Sequence, residues 1–191
     1  MNNQTPYPQR KSPRLANYDY SHNGAYFVTI CTKNRANLFG AIGKDGLMHP
    51  KEWGDIAHSC WLEIPDHFCR VVLDVFVIMP NHMHGILFLL DISIDGEQKK
   101  LAKKNVGAIH ESPLHTPQKP RGSKKDSLSA VVGLYKSTVA RRINNLCEHP
   151  RQIWQRSFHD HIIRNETSLN KLREYVLCNP ALWAEDRYFR D

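Results

Sequence analysis

The stretch that most constrains this chain is CRVVLDVFVIMPNHMHGILFLL, residues 69 to 90. Two apolar runs rich in β-branched and aromatic residues flank Pro80 and Asn81. Such residues favour a pleated, half-buried surface, and so short a connection implies an antiparallel strand pair.

The flanking segments extend that hairpin into a fold. AYFVTICT, residues 25 to 32, reads as an earlier strand. KNRANLFGAIGKDGLMHP reads as turns and loop, with a short hairpin around Lys44-Asp45-Gly46. KEWGDIAHSCWLEIPDH places Trp53, Ile56, Ala57, Cys60, Trp61 and Ile64 near helical spacing, an amphipathic helix ended by Pro65. SLSAVVGLYKSTVARRINNL predicts a helix capped by Ser127, with Leu128, Val131, Val132, Tyr135, Val139 and Ile143 as its apolar stripe. QIWQRSFHDHIIR reads as one or two short strands. NETSLNKLREYVLCNP reads as a last helix, capped by Asn165 or Thr167 and stopped at Asn179 by Pro180. The core order β-α-β-β-α-β is the split arrangement of ferredoxin-like α+β folds, an antiparallel sheet with helices packed on it. The last helix is an addition that carries Tyr175. Residues 1–20 are expected to form a flexible basic arm and 21–191 a single domain. Residues 92–126, rich in Lys, Pro, Ser and Gly, are expected to form a mobile insertion within it.

A formal net charge of +7 favours a polyanionic partner, most simply nucleic acid, although mild basicity also serves solubility. No apolar run approaches the roughly 20 residues of a membrane span, and the polar N-terminus lacks a secretory core. Five scattered cysteines without a CxxC pair suggest reduced thiols, with zinc binding as the alternative. The expected setting is the cytoplasm, with no membrane association.

Residues i and i+2 of a strand share a face, so His82 and His84 project side by side. Neutral imidazoles are common metal ligands, and two on one face can share an ion. The turn is expected to hold them near the sheet's edge, within reach of solvent and substrate. The plainer reading is two partly exposed polar residues at a turn. A second such pair, His159 and His161, warns against the pattern alone. Ile86 and Phe88 continue the face of His82 and His84, so something apolar must cover its far end.

Tyr175 and Asn179 are four positions apart and share a helix face if the last turn stays helical. An Asn amide oxygen suits Mg²⁺ or Mn²⁺, and a tyrosine hydroxyl is a possible nucleophile. With a reference pKa of about 10, ionising that phenol at neutral pH costs about 4 kcal/mol, which a cation and basic side chains offset in part. A Tyr on an amphipathic helix is otherwise ordinary core or boundary.

Taken together, MPNHMHGIL and YVLCNP resemble the single-tyrosine HUH transposases, and most closely the REP-associated tyrosine transposases. The His-hydrophobic-His motif is met by His82-Met83-His84. The tyrosine before an Asn-Pro is met by Tyr175 with Asn179 and Pro180. YDYSHNGAYFVTICTKNRANLFG and IWQRSFHDHIIRNETSLNKLREY also resemble family segments, so the likeness spans roughly residues 10 to 182. The resemblance implies a ferredoxin-like core and metal-dependent cleavage and rejoining of single-stranded, hairpin-containing DNA through a 5′-phosphotyrosine. His82, His84 and Asn179 would hold Mg²⁺ or Mn²⁺, and Tyr175 would attack. Arg10, Lys11 and Arg14, and separately Lys136, Arg141 and Arg142, are candidate DNA contacts, since phosphate contacts position a strand without reading sequence. A homodimer with the tyrosine supplied in trans is possible. A non-catalytic DNA-binding relative and a metal-dependent nuclease without a covalent step are the competing readings.

Overall fold

The computed structural model describes residues 19–91 and 123–189. Arg10, Lys11 and Arg14, with the rest of the expected arm up to residue 18 and most of the expected insertion, lie outside the described residues. The arm's expected end at residue 20 is corrected, because Tyr20 is buried in the main core and its carbonyl accepts from Leu128 N. In chain order the elements are β1 (Gly24–Cys31), β2 (Gly40–Ile42), β3 (Met48–Pro50), α1 (Glu52–Leu62), α2 (Ile64–His67), β4 (Val71–Met79), β5 (His82–Leu89), α3 (Leu128–Asn144), β6 (His159–Ile163) and α4 (Glu166–Cys178).

The expected antiparallel hairpin forms across Pro80 and Asn81, with Met79 opposite His82. The sheet order is β4-β5-β1-β6, and every neighbouring pair is antiparallel. That is the strand order of the split β-α-β-β-α-β arrangement, with β2 and β3 as a separate small hairpin. β4 is bulged between Leu73 and Phe76. Within the bulge, Asp74 accepts from Arg173 Nε at 2.7 Å, tying α4 to the edge strand.

The two sheet faces carry different layers. α1 and α3 cover one face, burying Tyr26, Val28, Ile30, Met83 and Leu87 beneath Trp61 and Tyr135. All six residues of the α3 stripe are buried, and Ser127 caps the helix by accepting from Ala130 N. Burying six such side chains is worth on the order of 10 kcal/mol before the entropy of ordering is subtracted. α4 lies on the other face, where Leu169 and Leu172 close over Ala25, Ile86, Phe88 and Ile163. This is the apolar cover that the alternation along β5 requires.

Two local expectations need correction. Pro65 does not end α1: the helix stops at Leu62, and Pro65 sits in the first turn of α2, where its missing N–H costs nothing. α4 does stop at Cys178, with Asn179 as its C-cap as expected, but Asn179 itself keeps helical angles, φ −56° and ψ −41°, despite the following proline. The side-by-side placement of Tyr175 and Asn179 therefore survives. Among the described residues, no helix is long and apolar enough to cross a membrane.

Candidate active site

Alternation along β5 sends Met83, Gly85 and Leu87 toward α1 and α3, and His82, His84, Ile86 and Phe88 toward α4. The histidines are not at a sheet edge. β5 is an inner strand, and both imidazoles are buried. The segment after α4 folds back over them. The Tyr188 ring lies 4.6 Å from that of His82 and 5.9 Å from that of His84, and Trp183 stacks 5.9 Å from His82.

Asn81 orients the first imidazole. Its Nδ2 donates to the carbonyls of Tyr188 at 2.8 Å and Arg35 at 3.3 Å, so its Oδ1 must face His82 Nδ1, at 2.9 Å. An amide oxygen only accepts, so Nδ1 of His82 carries the proton and its Nε2 has a free lone pair. His84 Nδ1 meets the Thr29 hydroxyl at 2.8 Å, a group that can donate or accept. Either tautomer of His84 is thus tolerated. The two Nε2 atoms are 3.0 Å apart. With the His82 lone pair fixed, the N–H of His84 donates across that gap.

Burial pulls the His82 pKa down to about 4, with the Asp186 carboxylate opposing the shift and the Arg187 and Arg35 guanidiniums adding to it. Burial, the neighbouring His82 and Arg187 hold His84 well below the usual histidine range. Both are neutral at physiological pH, the form that ligates metals.

α4 begins at Asn165, whose side chain accepts from Ser168 N, and delivers Tyr175 to the pair from above. The phenol oxygen is 3.3 Å from His84 Nε2 and donates to Asp186 Oδ2 at 3.4 Å. Its ring packs edge-on against His84 and Phe27. Tyr175 nevertheless keeps 38% of its surface exposed, so one side of the phenol is open to a substrate. Burial, and then the charge of Asp186, push its pKa up to about 12, so in this arrangement it is protonated.

Asp186 went unread in the sequence. It lies in an irregular segment with no periodicity to mark it, and the nearby Trp183, Tyr188 and Phe189 are the only hint that this segment packs inward. Asp186 Oδ2 accepts from Asn179 Nδ2 at 2.9 Å. Ligand atoms of His82, His84 and Asp186 all lie within 4.8 Å of one another. Asn179 Oδ1, at the other end of the amide, is buried without a hydrogen-bond partner. Two neutral imidazoles and a carboxylate, with an orphaned buried oxygen on the amide bonded to that carboxylate, suit a divalent cation.

The remaining candidates lie elsewhere. Lys136, Arg141 and Arg142 belong to α3, in the helix layer on the opposite face of the sheet. Lys136 Nζ donates to the carbonyls of Gln155 and Arg156. Arg142 makes a two-pronged contact with Glu63, at 2.8 and 2.6 Å. Arg141 is exposed. None of the three meets Tyr175.

No protein-family model matches the chain. An uncharacterised protein of Haemophilus influenzae is 36% identical over 185 residues, covering 95% of this chain and 94% of that protein. Among solved structures, a REP-associated tyrosine transposase bound to a REP hairpin superposes with a TM-score of 0.53 at 15% identity, over 92% of this chain and 76% of that one. This fold likeness falls on the family whose motifs the sequence resembles.

Proposed function

We propose that this chain, which belongs to one family with the Haemophilus influenzae protein and has the fold of the REP-associated tyrosine transposase, cleaves and rejoins single-stranded, hairpin-containing DNA through Tyr175. The observation that carries the reading is the approach of the Tyr175 hydroxyl to within 3.3 Å of His84 Nε2 in the same chain. The tyrosine therefore needs no second subunit to meet the histidines.

In this reading His82, His84, Asp186 and Asn179 hold Mg²⁺ or Mn²⁺. The bound cation supplies Lewis acidity toward a phosphodiester oxygen and stabilises the charge that develops there. Asn81 fixes the His82 tautomer, and Thr29, which can accept as well as donate, would let His84 carry its proton on Nδ1 and free Nε2 for the ion. The oxygen of Tyr175 forms a bond to phosphorus as the bond to the 3′ oxygen breaks. The phenolic proton leaves toward Asp186 Oδ2, its acceptor in the free protein, and the departing 3′ oxygen gains a proton. The products are a 5′-phosphotyrosine and a free 3′-OH. Attack by another 3′-OH restores the phenol and joins strands, with no nucleotide cofactor required. Arg35 and Arg187 flank Tyr188 beside the histidines and provide positive charge for the substrate phosphate.

The test is incubation of the protein with end-labelled hairpin DNA and Mn²⁺, followed by a denaturing gel. A slow-migrating covalent band that disappears in Tyr175→Phe is expected. Cleavage that survives the substitution would favour a metal-dependent nuclease without a covalent step. Tight binding without cleavage by the unaltered protein would favour a DNA-binding relative that has lost catalysis.

A further inference from the structure

The second histidine pair, His159 and His161, has no part in the site described above, yet strand register carries it to the same face. β6 runs antiparallel to β1, with His159 opposite Thr29 and His161 opposite Phe27. β1 in turn places Thr29 opposite His84 and Phe27 opposite Ile86. Directly opposed residues share a sheet face, with Cβ atoms about 5 Å apart. Thr29 is the residue that hydrogen-bonds His84, and the Phe27 ring stacks 5.2 Å from the His84 ring. His159 is thus one side chain removed from His84, about 10 Å away across two strand spacings, and His161 is linked to it through Phe27 from two residues further along the strand.

Burial separates the two pairs. His82 and His84 are buried, whereas His159 and His161 are exposed on the outermost strand. Their strand neighbour Ile162 faces the opposite way, into the main core, so β6 is firmly oriented. The second pair is a poor metal site, because among the described residues no third metal-ligating side chain joins it. What it offers is two exposed aromatic rings with N–H donors, beside a Phe27 ring that packs edge-on against Tyr175. A cleft of about 260 Å³ at the edge of β6 is lined by His161, Ile162, Arg164, Asn165 and Ser168. Single strands are held by stacking bases on Phe, Tyr, Trp or His while positive side chains follow the phosphates. The net charge of +7 suits the same occupant.

We propose that His159 and His161 form a stacking platform for unpaired bases next to the scissile phosphate, with Arg164 contacting the backbone beside them. The inference rests on the DNA-cleaving reading given above. It is tested by fluorescence polarisation with labelled oligothymidylate at low salt, comparing the full chain with the His159→Ala/His161→Ala variant. Both residues are exposed, so the melting temperature should not change. The variant should bind about tenfold more weakly or worse, and His159→Phe/His161→Phe should restore affinity. Unchanged affinity in the alanine variant overturns the platform even if Tyr175 cleaves DNA. Rescue by His159→Lys/His161→Lys but not by phenylalanine also overturns it, because the contact would then be to phosphate. Absence of both binding and cleavage in the unaltered protein overturns the cleavage reading itself, and the platform with it.

Discussion

Replacing Asn81 with alanine should loosen the whole site, and the cost can be worked from its contacts. The Asn81 side chain is buried and makes three hydrogen bonds: to His82 Nδ1 at 2.9 Å, Tyr188 O at 2.8 Å and Arg35 O at 3.3 Å. At about 1 kcal/mol net for each bond, Asn81→Ala loses about 3 kcal/mol, and more where a stranded donor or acceptor finds no water. For a chain of this size that lowers the melting temperature by about 6–12 °C. The backbone carbonyl of residue 81, which accepts from Thr32, is untouched, so the turn itself should persist. Loss of the acceptor that fixes the His82 tautomer should also weaken Mn²⁺ binding about 10- to 100-fold. Urea unfolding reads the first effect and calorimetric titration with Mn²⁺ the second. Asn81→Asp separates them: it keeps an acceptor for His82 but sets a carboxylate oxygen against the Tyr188 carbonyl, so stability should fall while metal affinity holds better. A loss below about 1 kcal/mol in Asn81→Ala, with Mn²⁺ affinity unchanged, would refute the assigned role.

Three further outcomes follow from the same structure. A Cβ on Gly85 would lie 2.5 Å from Trp61 Cζ2, and that indole is wedged against Tyr135 and Phe76. Gly85→Ala should therefore cost about 2 kcal/mol in urea unfolding, and a neutral result would mean that the indole moves freely. Asp186→Asn removes a charge that helps to hold the Tyr175 phenol protonated. Ultraviolet titration should find Tyr175 ionising at lower pH, with weaker Mn²⁺ binding; unaltered titration would detach Asp186 from the tyrosine. His82 and His84 have folded pKa values below their unfolded value of about 6.5. The unfolded chain then binds more protons as pH drops, so stability should fall below about pH 6.5 and continue falling toward pH 4. Unfolding free energies that stay flat from pH 7 to 5 would mean that the imidazoles are solvated.

Most of the architecture was legible in local pattern. Two apolar runs rich in β-branched and aromatic residues, broken by Pro80 and Asn81, gave away the hairpin. The stripe from Leu128 to Ile143 marked α3 residue for residue, and the Ser127 and Asn165 caps were recognisable by type. These signals are short-range, because side-chain period and backbone capping are properties of a few consecutive residues. The motif residues His82, His84, Tyr175 and Asn179 were named from local spacing together with the family resemblance, and the structure brings His82, His84 and Tyr175 into contact, with Asn179 joined to them through Asp186.

What the sequence by itself determined was therefore the elements, their order and which residue types could do chemistry. Tertiary structure decided what those residues became. Pairing order made β5 an inner strand, and the fold-back of residues 182–189 buried its histidines, which drives them neutral. The same fold-back brought Asp186 to Tyr175 and Asn179 and turned Asn81 from a turn residue into the tie between His82 and the chain's end. Strand register set His159 and His161 beside the site rather than away from it. None of this is periodic: contacts between residues as distant as Asn81 and Tyr188 depend on how the layers close, and no window of neighbouring residues encodes that closure.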